Sequence, residues 1–594
     1  MYYIALIRSA SFLAVAMVAV ALNTSIAVAQ KSNESATKLK SLLDQVWEYE
    51  IQQSPLLATN IGDSRFQDRL ADVSLSTIAE QTQQRQKFLN QLRAIPVESL
   101  NDLEQVDHVL LEGRLDQQVA DFHFKTHLMP ISKRDGFHIE FPELSRLMNP
   151  KTPADFDNYI ARLNDYGRYS DQHIELLRAG IEAGLTQPSV IMRESVKQAE
   201  AHIVDDPRQS LLLTSITDEV RKKLGDEQWK AIEAKIIDAI RSNVIPAYVR
   251  FKTFLESEYL PACRGPIGAS AMPGGREFYR DRIKRFTTLE FTPEQLHETG
   301  MRENARIRDE MNAIREKVGF DKDLPAFLNH LRTDPKFYPK SADELMKAAA
   351  LILKTADGRL PDMFGKLPRI PYGLREIPSH VAPQTTSAYY WPPSTDGKRG
   401  GMYYLNTYNL ASRPLYQLES LSLHEAVPGH HLQLALQAEL TTLHVISRES
   451  NITAFIEGWA LYSERLGLEM GFFTDPYQDF GRLSMEAWRA SRLVVDTGIH
   501  YMGWTRQQAI DYMTENTALS PHNIVAEVDR YIGWPGQALA YKVGELEITG
   551  LRRYAEEKLG DKFDLRAFHD EVLAVGAIPL PLLEKRIERW ITSH

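Results

Sequence analysis

From Lys38 to about Leu260 the apolar positions recur every three or four residues, the spacing of amphipathic helices. "LEQVDHVLLEGRLDQQVADF" (103–122) shows it, and "DEQWKAIEAKIIDAIRSNVIPAYVRFKTFLESEYL" (226–260) sustains it over many turns. Strand-like alternation is scarce, and neither a fixed-period repeat nor a low-complexity tract interrupts the pattern. A turn-rich stretch, "LPACRGPIGASAMPGGREFY" (260–279), then separates an N-terminal helical region from a second one. The second region opens with a helix predicted from Thr292, an N-cap followed by Glu294 and Gln295, and it stops at Gly319. Next, residues 377–410 lose the helical texture. Two extended pieces, Ala388–Trp391 and Met402–Asn406, flank a Pro/Asp/Gly loop there, the one clear sheet signal. Helices resume after residue 413 and continue to the end. The expectation is a mainly α protein: two helical halves, 30–265 and 266–594, forming one body, with a small β-sheet immediately upstream of residue 413.

The chain has 594 residues, 43% hydrophobic and 25% charged, which is ordinary globular composition. Its net charge of −10 and the lack of a basic block argue against a nucleic-acid partner. Cys263 is the only cysteine, so an intramolecular disulfide and a thiolate metal cluster are both excluded. Its surroundings lack a histidine, and a structural role is expected. The first 29 residues read as a secretory signal: Arg8, an apolar run from Phe12 to Leu22, then Ala27-Val28-Ala29 before the cut. That run is too short to span a bilayer comfortably. Cleavage would leave a mature chain from Gln30, periplasmic or secreted and not inserted in a membrane. Losing Arg8 moves the net charge from −10 to −11. No cysteine follows the run, so lipid attachment is not expected there.

The chemistry concentrates in "LSLHEAVPGHHLQLAL" (421–436). A helical zinc site of the His-Glu-x-x-His type sets its imidazoles four residues apart on one face. Here the fourth residue after His424 is Pro428, which lacks an N–H and crowds the carbonyl of His424. Val427 before it is pushed away from helical angles. His424 and Glu425 should therefore close one helical stretch, and His430 and His431 open the next. In an unbroken helix His431 would lie on the face of His424 but about 10 Å along the axis, too far to share a metal. A local bulge absorbing two residues instead returns His430 to the ligand position. A third ligand is expected from "ESNITAFIEGWALYSERLGLEMG" (449–471), where Phe455, Trp459, Tyr462 and Leu466 form an apolar stripe. Glu457 stands among apolar neighbours, where a carboxylate is costly unless it meets a cation or a donor. Glu464, two turns on, is either its outer partner or plain surface. Arg489, Arg492, Asp496 and His500 recur at three- and four-residue spacing. They fit either a surface ion-pair ladder or a device that binds substrate carboxylate or buttresses a ligand.

"HEAVPGHHLQ", "FIEGWALYSERL", "WRASRLVVDTGIH" and "YIGWPGQALAYKVG" together resemble a large bacterial family known only as a domain of unknown function, whose members are regarded as exported zinc metallopeptidases. The likeness runs from about residue 40 to the end. A weaker likeness ties the chain to carboxypeptidase Taq and the helical oligopeptidases, which carry His-Glu-x-Gly-His and a glutamate on the next helix. The resemblance implies a Zn²⁺ held by His424, His430 and Glu457, with Glu425 as general base and Tyr541 as a donor to the oxyanion. Two residues inserted before "GHHL" depart from the parent motif and set His431 beside His430 as a rival ligand. It also implies that "GGMYYLNTYNL" (400–410) is an edge strand that holds the substrate backbone. The function expected is hydrolysis of short or unfolded peptides in a deep cleft flanked by the two helical halves, with the small β-sheet near the active site. Two other readings are a non-catalytic envelope binding protein and a zinc hydrolase of another amide.

Overall fold

The computed structural model describes residues 32–379, 382–393 and 399–594; the expected signal segment, residues 1–29, lies outside them. The architecture is mainly α, with helices from residue 32 to the C-terminus and one three-stranded sheet. The long helices are started by the devices the sequence announces. Asn101, Thr152, Thr292 and Thr505 each form a reciprocal capping box, so two otherwise orphaned N–H groups are satisfied at each start. The helix expected from Thr292 runs over Pro293–Lys317, and Gly319 ends it with a φ of 71°.

The cores are shared across residue 265. One cluster joins Val106, Leu128 and Leu176 to Phe278, Trp459 and Ile587. A second joins Tyr166, Tyr248 and Phe254 to Trp488, Val495 and Tyr531. The turn-rich stretch 260–279 is pinned rather than loose: the Ala269 N–H donates to His500 Nδ1, 3.1 Å away. Among the described residues no helix is long and apolar enough to cross a membrane.

The sheet holds one strand more than the sequence reading. β1 (Tyr372–Glu376) precedes the two expected strands, β2 (Ala388–Trp391) and β3 (Gly401–Leu405). The order is β1-β3-β2, with β1 parallel and β2 antiparallel to β3. β3 is therefore the central strand, and the edge-strand expectation for 400–410 is wrong. Both rows of its backbone groups are already paired, leaving none for a peptide. β1 escaped notice because parallel pairing has no adjacent hairpin signal to mark it. Ala388, Tyr403 and Leu405 pack the sheet onto Leu418 and Ala426, beside the histidine segment.

Candidate metal centre

The helix carrying His424 ends as the proline requires. It spans Leu418–Glu425, the chain turns through Ala426–Gly429, and a new helix runs His430–Ala438. The interruption is a complete stop and restart rather than the one-turn bulge expected. Ala426 and Gly429 adopt ψ of −104° and −127°, far outside helical values, so the two helices are separate bodies. Two contacts hold the turn: the Gly429 N–H donates to the Leu423 carbonyl at 2.9 Å, and the Trp459 indole N–H donates to the Pro428 carbonyl at 2.8 Å. A Cβ on Gly429 would sit 2.0 Å from the His424 carbonyl oxygen, so only glycine fits there.

The outcome for the side chains is the one the bulge argument sought. His424 Nε2 and His430 Nε2 each lie 3.5 Å from Glu457 Oε2, and the two rings stand nearly perpendicular at 82°. One ligand atom from each of the three residues falls within 4.8 Å of the others. Glu457 comes from the Thr453–Leu466 helix, whose Phe455 and Trp459 are fully buried as the stripe required. Its Oε2 is buried without a hydrogen-bond partner, as is His430 Nδ1. Burial would raise the Glu457 pKa, but the two imidazoles hold it well below the carboxylate range. For His424 burial acts downward, yet Glu457 and Glu464 raise it to about 9. Glu425 is buried beside this cluster, and burial raises its pKa against the opposing pull of His424 and His430.

His431 does not join the cluster. Its Nδ1 meets the Tyr390 hydroxyl at 2.8 Å, its ring lies 4.6 Å from that of Tyr372, and burial lowers its pKa to about 4. It ties the sheet to the helix as a neutral imidazole. Neighbouring residues in a helix point roughly 100° apart, so one of the two histidines had to face away.

Glu464 resolves as an outer partner. Its Oε1 accepts from His424 Nδ1 at 2.8 Å, and Ser420 donates to its Oε2. Arg489 Nη2 lies 3.1 Å from Oε1, so a buried carboxylate fixes the imidazole and is itself neutralised. Burial would raise the Glu464 pKa, and Arg489 and His424 bring it below the ordinary value. This arrangement leaves His424 Nε2 as the atom facing Glu457. Arg489, Arg492, Asp496 and His500 are all nearly or fully buried on the Pro476–His500 helix, which removes the surface-ladder reading.

Tyr541 opens the Ala540–Leu559 helix, which crosses the Glu457 helix in backbone contact. A Cβ on Gly544 would lie 1.8 Å from the Ala454 carbonyl oxygen, and one on Gly458 would lie 2.4 Å from the Gly544 carbonyl carbon. The two glycines therefore set the separation of Tyr541 from the cluster. Burial raises the Tyr541 pKa and the Glu457 charge raises it further. The Arg492 guanidinium lies 3.9 Å from the centre of the tyrosine ring. Sequence reasoning missed Ser420, which sits one turn before His424, and Tyr390, whose role depends on sheet packing. A cavity of about 270 Å³ lined by Arg264, Arg282, Phe286 and Trp534 includes none of the candidate residues.

The chain belongs to the DUF885 family, described as bacterial proteins of unknown function, whose profile matches residues 55–587. Among solved structures it is similar to a candidate lipoprotein from Colwellia psychrerythraea, at 29% identity and a TM-score of 0.88, covering 94% of this chain and 100% of that one. It is also similar to a candidate lipoprotein of unknown function from Shewanella oneidensis, at 19% identity and a TM-score of 0.69, covering 93% and 99%. The second likeness concerns the fold alone. No functionally curated protein matches the sequence.

Proposed function

We propose that the chain is a zinc-dependent peptidase acting on short or unfolded peptides, with His424, His430 and Glu457 holding the ion. One observation carries this reading: two imidazole nitrogens converge at 3.5 Å on a buried carboxylate oxygen that has no other partner. Ligand atoms about 2.05 Å from a tetrahedral centre lie roughly 3.3 Å apart, so the spacing suits three bonds to one ion. A donor set of two histidines and one glutamate, with a fourth position left open, is that of catalytic zinc. A zinc ion bound there supplies a Lewis acid that polarises a scissile carbonyl and acidifies a water.

The protein groups account for the remaining steps. Glu425, buried beside the three ligands but outside their set, takes a proton from the attacking water and delivers it to the leaving amine. The Tyr541 phenol, kept protonated by burial and by Glu457, donates to the oxygen on which negative charge develops. Glu464 and Arg489 hold the His424 ring against rotation. An envelope location is supported by the Colwellia relative, described as a candidate lipoprotein, and by the apolar run at Phe12–Leu22. Within that compartment the reading takes a periplasmic or secreted form. The test is metal analysis of the purified protein together with cleavage of a diverse peptide mixture, with and without chelator. One equivalent of zinc and chelator-sensitive cleavage are expected. Zinc without cleavage of any peptide would turn the reading toward a binding protein or a hydrolase of another amide.

A further inference from the structure

Three arginines converge on the Tyr541 side of the site, and one carboxylate serves two of them. Arg492 Nη2 and Arg530 Nη2 both pair with Glu527 Oε2, at 3.1 and 3.0 Å. Glu527 is 1% exposed and has no capacity to balance both charges. Arg492 is 3% exposed, stacks on Tyr541 and Trp488, and keeps its Nη1 buried with no partner. Arg530 also donates to Gln537, the residue one helical turn before Tyr541.

The third arginine comes from the other half of the chain. The 131–136 loop is fastened to the Pro521–Gly533 helix by Lys133 Nζ and Asp529 Oδ2 at 3.1 Å. Within it the Ser132 hydroxyl accepts the Arg134 and Asp135 N–H groups, and Gln198 binds the Lys133 carbonyl. Arg134 thus follows directly on the residue that ties this loop to Asp529, the neighbour of Arg530. It is exposed, and among the described residues its guanidinium makes no ion pair or hydrogen bond. Partial burial lowers its pKa, and the Glu527 charge opposes this. Exposed and without a partner among the described residues, this guanidinium is available to an anion.

Resting on the peptidase reading, we propose that Arg134, Arg492 and Arg530 form a receptor for a carboxylate of the bound peptide, close to the bond that is cut. The connection to the chemistry is structural. Arg489 supports His424 through Glu464, and Arg492, one turn later on the same helix, supports Tyr541. The carboxylate is either the C-terminal α-carboxylate or an acidic side chain; both present the planar oxygen pair that a guanidinium binds.

The test measures binding, so that it does not depend on turnover. Zinc-loaded Glu425→Gln protein is titrated calorimetrically with Ala-Ala-Phe free acid, Ala-Ala-Phe amide and Ala-Ala-Glu amide. At least one carboxylate-bearing peptide should bind roughly 10-fold or more tightly than the neutral amide. Preference for the free acid assigns the α-carboxylate, and preference for the glutamyl amide assigns the side chain. Adding Arg134→Gln should bring the ratio close to one, and Arg134→Lys should keep part of it. Equal or undetectable binding of all three peptides, or a ratio untouched by Arg134→Gln, overturns the receptor. Failure of the peptidase reading shows separately, as a carboxylate preference in wild-type protein that cleaves none of the peptides.

Discussion

Glu464→Gln removes one charge from a buried chain of contacts that runs from His424 to Arg489. Glu464 and Arg489 are 1% and 3% exposed, so water cannot replace the lost partner of the guanidinium. Stranding one member of a buried pair costs roughly 3–5 kcal/mol. Glutamine can still accept from His424, yet loses the negative charge that raises the basicity of the imidazole. Removing such an outer partner of a metal-binding histidine typically costs ~10- to 100-fold in metal affinity. The two effects separate in the double variant Glu464→Gln, Arg489→Met. Replacing the stranded guanidinium with an apolar side chain should recover most of the stability without restoring metal affinity. The assays are denaturant unfolding of the metal-free protein and competitive zinc titration with a chromophoric chelator. If Glu464→Gln unfolds at the wild-type midpoint and binds zinc equally well, the buried relay has no energetic role. If the double variant regains zinc affinity along with stability, Glu464 acts through the fold rather than through His424.

Other outcomes follow from the same geometry. His430→Ala should abolish stoichiometric zinc binding while His431→Ala retains one equivalent in metal analysis; the reverse pattern would reassign the ligand. Glu425→Gln should keep zinc and fold but lower peptide hydrolysis by ~10²- to 10⁴-fold in a chelator-controlled assay, and full activity would refute its role as base. Asp496 is fully buried, accepts from the Tyr279 hydroxyl and the Gly536 N–H, and its pKa is pushed up to about 7 by burial. The folded state therefore binds its proton more tightly than the unfolded chain, whose aspartate titrates near ~3.9. Stability from this group should fall as pH rises from about 4 to 7, by up to roughly 4 kcal/mol, and stay flat above. Unfolding midpoints of Asp496→Asn should lack this component, and parallel pH profiles for wild type and variant would contradict it.

The helical class, the cap at Thr292, the stop at Gly319 and the break at Pro428 were legible because each is decided within one or two turns of chain. A proline denies a bond to a carbonyl four residues back whatever lies elsewhere. The pairing of Glu457 with His424 was legible for a related reason: a carboxylate inside an apolar stripe must meet a cation wherever that helix packs. The sequence alone could not say which of two adjacent histidines faces the carboxylate, because a local bulge and a full helix stop serve the same residue by different backbones. Nor could it distinguish a surface ladder from buried supports at Arg489, Arg492, Asp496 and His500, since identical spacing suits both until neighbouring helices cover it. β1 became a strand only through parallel pairing with β3, and that pairing made β3 central rather than an edge. Arg134 carries no local signal at all. Its loop reaches the helix of Arg530, far along the chain, through the Lys133–Asp529 pair, and only tertiary contact brings those segments together.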